Sequence, residues 1–119
     1  LKKVVAPSEI NYKKMLNNNY VGCLTAIYDT EKLGKIYMSN LRKRQDWVLW
    51  LKIIKIIGNT RGLNESLAIY RDRSKSESSN KIQMIRYNWN VYNTQLGYNK
   101  LSSCFLLLNF LYYYVKKNI

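Results

Sequence analysis

Histidine is absent from these 119 residues, and cysteine occurs only twice. Without histidine, no Ser-His-Asp or Cys-His nucleophile can be assembled within the chain. Cys23 and Cys104 lie far apart with no C-x-x-C spacing, so a cysteine–histidine metal cluster is excluded as well. Each stands in an apolar context and is expected to be a buried free thiol in a reducing compartment. Acid is scarce too: seven Asp and Glu against twenty Lys and Arg give a formal charge of +13. Such an excess calls for an anionic partner, whether nucleic acid, an acidic membrane surface or a phosphorylated substrate. No apolar run reaches the roughly 20 residues that a membrane-spanning helix needs. The length suits one domain or part of one, and a start at Leu1 without a signal peptide reads as a piece of something longer.

What is present is organised around residues 42–57. A basic, polar run, Arg42, Lys43, Arg44 and Gln45, meets one carboxylate, Asp46, and an almost wholly apolar segment follows. Trp47, Trp50, Leu51, Ile54 and Ile57 fall at the i, i+3, i+4, i+7 spacing of a buried helical stripe. Val48, Leu49, Ile53 and Ile56 are apolar as well, leaving Lys52 and Lys55 for water. The pattern predicts a helix covered on most sides and central to the domain. Asp46 stands at its start, where unpaired N–H groups and the helix dipole favour a negative charge. A carboxylate so placed serves as a cap or first-turn charge, the commoner use, or as a base.

Around this helix the sequence predicts strands and further helices. Ser8 is expected to cap a short helix through 11–17, with Ile10, Met15 and Leu16 facing inward and Asn17, Asn18 and Asn19 stopping it. Residues 20–28, rich in β-branched and aromatic side chains, predict a buried strand, and 67–70 predict a second. Residues 29–34 read as a turn or one helical turn closed by Gly34, and 35–38 as a short extended piece. Gly58 and Asn59 are expected to close the central helix, and 71–79 to form a charged loop. Ser79 or Asn80 caps a helix to about Leu96, with Ile82, Ile85, Trp89 and Tyr92 on one stripe and Gly97 at its end. Residues 101–115 are apolar apart from Ser102, Ser103 and Asn109, and Lys116 and Lys117 follow.

Three segments taken in order carry a family likeness: Asn19 with residues 20–29, Lys43 with residues 44–51, and Glu65 with residues 66–71. Together, over about residues 4–96, they resemble the C-terminal half of a bacterial family-2 glycosyltransferase. The resemblance implies part of a GT-A fold, an α/β sandwich. Residues 1–97 would form its acceptor-side half, and 98–119 an apolar, basic helix. The family's base is the Asp of a Glu-Asp pair that opens a helix ahead of an aromatic and apolar run. Asp46 matches that Asp, and Gln45 replaces the Glu. The implied reaction inverts the anomeric carbon in one displacement, with a carboxylate taking the proton of the attacking hydroxyl. A second carboxylate, needed in hydrolytic pairs, is not required. Arg71 and Arg73 match a Tyr-Arg-x-His segment in which Arg73 takes the histidine's place. They would clamp the leaving diphosphate, or else belong to a solvated charged loop, and Lys43 and Arg44 carry the same two readings. The resemblance also implies an Asp-x-Asp and a nucleotide-binding segment upstream of Leu1. Divalent metal, Mg or Mn, is therefore expected in the intact enzyme with no ligand in this chain, and the chain alone is expected to be inactive. The implied partners are a nucleotide-sugar donor and a saccharide or lipid-linked acceptor of cell-envelope polysaccharide synthesis, met in the cytoplasm.

One alternative class is a nucleic-acid-binding module. Lys, Arg and Tyr interleave through residues 81–100, as in proteins that stack on single strands. Against it, Trp89 and Tyr92 share a predicted core stripe with Ile82 and Ile85. The apolar tail, with three tyrosines and a lysine pair at its end, suits either a helix docked on the core or one lying peripherally on the anionic inner face of the plasma membrane.

Overall fold

The computed structural model describes residues 3–71 and 80–118. In chain order these form β1 (Glu9–Asn11), α1 (Tyr12–Asn17), α2 (Thr30–Leu33), α3 (Gln45–Ile57), β2 (Asn59–Arg61), α4 (Lys81–Asn90), a π-helical turn (Val91–Gln95) and α5 (Lys100–Asn118). β1 and β2 pair antiparallel, with Ile10 opposite Thr60.

α3 is the centre, as its pattern predicts. Trp47, Val48, Leu49, Trp50, Leu51, Ile53 and Ile54 are all buried. Its last turn departs from expectation, because Ile56 and Ile57 are exposed. Gly58, at φ 85, closes the helix by donating its N–H to the Ile54 carbonyl, and Asn59 goes on into β2 rather than ending the helix.

α1 is too short to satisfy its own C-terminal carbonyls, and the core does it instead. The Trp47 indole N–H donates to the Met15 carbonyl at 2.9 Å, and the Tyr92 hydroxyl donates to the Leu16 carbonyl at 2.6 Å. The Trp47 ring lies edge-on to Tyr92 at 5.6 Å and tilted against Phe110 at 5.4 Å. Three helices and the π turn thus meet at one indole. Met15 and Leu16 face inward as predicted, but the cap is Asn11, which accepts from the Lys14 N–H, and Ser8 leads into β1.

Neither predicted strand forms. Residues 20–28 follow an irregular path in which Tyr20, Val21, Ala26 and Tyr28 touch the core while Leu24 and Ile27 are exposed. Tyr28 fixes the end of that path: its hydroxyl donates to the Ile36 carbonyl at 3.3 Å and accepts from the Ile36 N–H at 3.1 Å. Residues 67–70 are irregular too, with Leu67, Ile69 and Tyr70 exposed. A strand needs a neighbouring edge to satisfy its backbone, and no other strand runs beside either segment among the described residues. Residues 35–38 form no strand either, while Gly34, at φ 74, closes α2 as expected.

α4 is capped by Asn80, one of the two residues predicted, through the Gln83 N–H. Its inward stripe differs from the predicted one. Met84, Asn88, Val91 and Tyr92 are buried, Ile82 and Ile85 are exposed, and Trp89 is half-buried. The π turn at 91–95 widens the helix, so one α-helical stripe cannot be drawn through Tyr92. Gly97, at φ 75, follows it. α5 runs over Lys100–Asn118, with Ser103 and Phe110 buried against the core. Cys23 and Cys104, expected to be buried, are both exposed: one sits on the irregular 20–28 path, the other on the outer side of α5.

Candidate functional site

The start of α3 gathers the polar groups that the apolar helix behind it holds in place. Arg44 is the N-cap residue and has a left-handed backbone, φ 67, which side chains other than glycine rarely adopt. It supplies no side-chain cap. The guanidinium instead lies over the Trp47 ring at 5.6 Å and the Phe110 ring at 5.7 Å, largely withdrawn from water. Burial lowers its pKa from the usual arginine range, while the charge of Asp46, and to a lesser degree Tyr92, works against that loss. Arg44 is thus packed against two touching rings, which fits neither a solvated loop nor a cation reaching out to phosphate.

Gln45 opens the helix with the end of its side-chain amide facing the carbonyls of Arg42 and Leu41; assigning the nitrogen to that end, as the two acceptors require, gives donor contacts of 3.0 and 3.1 Å. A carboxylate at this position would set its oxygens against two carbonyls. Asp46, the second residue of α3, is half-buried, and its Oδ2 accepts from the Asn19 amide nitrogen at 3.2 Å. The Asn19 carbonyl oxygen in turn accepts from the Val21 N–H at 3.3 Å, so the irregular path after α1 orients the amide that orients the carboxylate. Lys43 is tied to α4 through Gln83 Oε1 at 2.8 Å.

Asp46 is therefore a carboxylate with one face held by an amide and a buried helix behind it. It can accept a proton from a hydroxyl brought to its free side. Asn19 was not legible as its partner, since 27 residues separate the two and the run Asn17, Asn18, Asn19 signals only a turn. Arg71 is exposed at the end of an irregular stretch and has no described contact with Asp46; Arg73 lies outside the described residues. Among the described residues no three His, Cys, Asp or Glu converge as metal ligands. An open groove of about 550 Å³ between α4, the π turn and α5, lined by Arg86, Trp89 and Leu107 among others, includes neither Asp46 nor Asn19.

No protein-family profile and no solved structure matches the chain. Two bacterial glycosyltransferases are similar to it in sequence. One is TuaG of Bacillus subtilis (strain 168), named for teichuronic acid biosynthesis, with 39% identity over 107 residues, 88% of this chain and 42% of that protein. The other is WfgD of Escherichia coli, a UDP-Glc:alpha-D-GlcNAc-diphosphoundecaprenol beta-1,3-glucosyltransferase, with 34% identity over 118 residues, 98% of this chain and 46% of that protein. The chain spans less than half the length of either relative.

Proposed function

Since this chain is a homologue of bacterial glycosyltransferases, we propose that it is the acceptor-side part of an inverting, family-2 nucleotide-sugar transferase of the GT-A fold. Residues 1–97 are its share of the catalytic domain, and 98–119 are an appended helix. Asp46 is the general base: it takes the proton of an acceptor hydroxyl as that oxygen attacks the anomeric carbon and the nucleoside diphosphate leaves. The observation that carries this is the bond from Asn19 to Asp46 at the head of the buried helix α3. It fixes a lone carboxylate without neutralising it, as a single-displacement base requires. Arg71 and Arg73 are assigned to the leaving diphosphate. The four residues Arg71 and 72–74 hold both arginines, close enough in sequence to act on one anion.

A divalent metal, Mg or Mn, would neutralise the donor diphosphate in the intact enzyme. The described residues offer it no ligand set. The name of WfgD includes a diphosphoundecaprenol-linked acceptor. By that analogy the acceptor here is a saccharide on a lipid carrier, used in cell-surface polysaccharide synthesis at the inner face of the membrane.

The test is the product's stereochemistry. Full-length protein given nucleotide-sugar donors and lipid-linked acceptors should yield a glycoside whose anomeric configuration, read by proton NMR, is opposite to the donor's. A retained anomer, or no transfer to any such acceptor, contradicts the proposal.

A further inference from the structure

α5 is apolar on two opposite faces, and the domain uses one of them. Ser103 and Phe110 are buried, and Leu106 and Leu107 pack beside them against the core. On the other side stand Leu101, Phe105, Leu108, Tyr112 and Val115, each at least 52% exposed. Their spacing alternates four and three residues, which keeps all five on one stripe of a helix with 3.6 residues per turn. A contiguous apolar stripe left in water marks an interaction surface. Lys100 stands at one end of the helix, Lys116 and Lys117 stand at the other, all three exposed, and α5 contains no Asp or Glu.

We propose that this outer stripe is the surface by which the protein lies on an anionic lipid bilayer. No helix among the described residues is long and apolar enough to cross a membrane, so α5 lies in the plane of the interface. Leu101, Phe105 and Leu108 enter the acyl boundary, and Tyr112 and the flanking lysines stay at the level of the headgroups. The occupant is lipid rather than a second copy of the chain. The same spacing would suit a coiled-coil seam, but it lasts about two heptads where a stable seam sustains three or four. Its flanking positions, Ser102, Cys104, Asn109 and Leu111, offer no complementary charges. Two chains of +13 each also repel, whereas the same charge draws the protein to acidic headgroups.

Membrane docking by α5 and sugar transfer at Asp46 can fail separately, because vesicle binding needs neither donor nor acceptor. The chain is tested with vesicles of phosphatidylcholine alone and of phosphatidylcholine mixed with phosphatidylglycerol. It should co-sediment with the acidic vesicles and far less with the neutral ones. Phe105→Ser, Leu108→Ser and Tyr112→Ser combined should weaken binding by at least about tenfold, as expected for removing three apolar anchors. Their side chains are exposed, so circular dichroism should show the fold kept. Lys116→Gln with Lys117→Gln should weaken binding by about fivefold per lysine and only on acidic vesicles. As a second measurement, a polarity-sensitive dye on Cys104, which borders the stripe, should shift to the blue on acidic vesicles in a Cys23→Ser background. Binding unaltered in the triple serine variant, or a Cys104 dye that stays in water, overturns the proposal. So does a wild-type chain that ignores vesicles but forms a dimer the triple variant abolishes.

Discussion

Tyr92 brings one phenol into the core and gives it a single polar task, closing the Leu16 carbonyl that α1 leaves without a partner. Burial raises its pKa above the ordinary tyrosine value, and Arg44 opposes the shift. Tyr12 is raised in the same direction, first by burial and then by its 3.2 Å hydrogen bond to Tyr98. A phenol whose pKa is higher in the folded chain than in the unfolded one holds its proton more tightly when folded. Its contribution is therefore complete below about pH 10 and is lost as the pH climbs above that value. Stability to urea should decline above about pH 10, and Tyr92→Phe should make that decline shallower. At neutral pH the same variant should lose about 1–3 kcal/mol, because the buried Leu16 carbonyl is left without a donor. Urea midpoints of both proteins at neutral and alkaline pH check this; parallel pH slopes would show that Tyr92 takes no part in it.

At the scale of elements, the β1–β2 pair depends on a close approach of two backbones. Gly62 follows β2 and donates its N–H to the Ser8 carbonyl at 3.3 Å. A Cβ added there would run into the Pro7 carbonyl oxygen and come within 2.8 Å of the Ala6 Cβ. Backbone cannot swing aside as a side chain can, so Gly62→Ala should cost about 1–3 kcal/mol. Gly22→Ala meets nothing within 4 Å and should change stability by less than about 0.5 kcal/mol. Equal thermal midpoints for the two variants would mean that the approach is not tight.

The helices were legible because their signals are local. The apolar stripe of α3, Asn80 as a cap and Gly34, Gly58 and Gly97 as terminators all act within a few residues. The strands were not legible, because strand formation depends on what lies alongside. Residues 20–28 have the composition of a buried strand but no partner edge. The segments that do pair, Glu9–Asn11 and Asn59–Arg61, are three residues long and mostly polar. The buried face of α4 does not follow its apolar residues: it includes Asn88, and the π turn breaks the period just where Tyr92 enters the core. At the candidate site, the helix-opening position of Asp46 could be read from the apolar run behind it. Asn19 and the ring-packed Arg44 could not, since their roles arise from contacts between distant segments.

For the molecule as a whole, the sequence gathers cationic charge and leaves few carboxylates, seven in all. One of them stands where a buried helix begins and is held by an amide. The central claim is that this carboxylate, Asp46, is the base of the proposed sugar transfer. Asp46→Asn tests it directly in the full-length protein, because the new side chain keeps the shape, and its oxygen can still accept from Asn19. Transfer rate and donor affinity are measured on the same preparation. The rate should fall by about 10²-fold or more, the scale for losing a positioned base, while the donor binds as before. Turnover close to wild type in that variant would contradict the account.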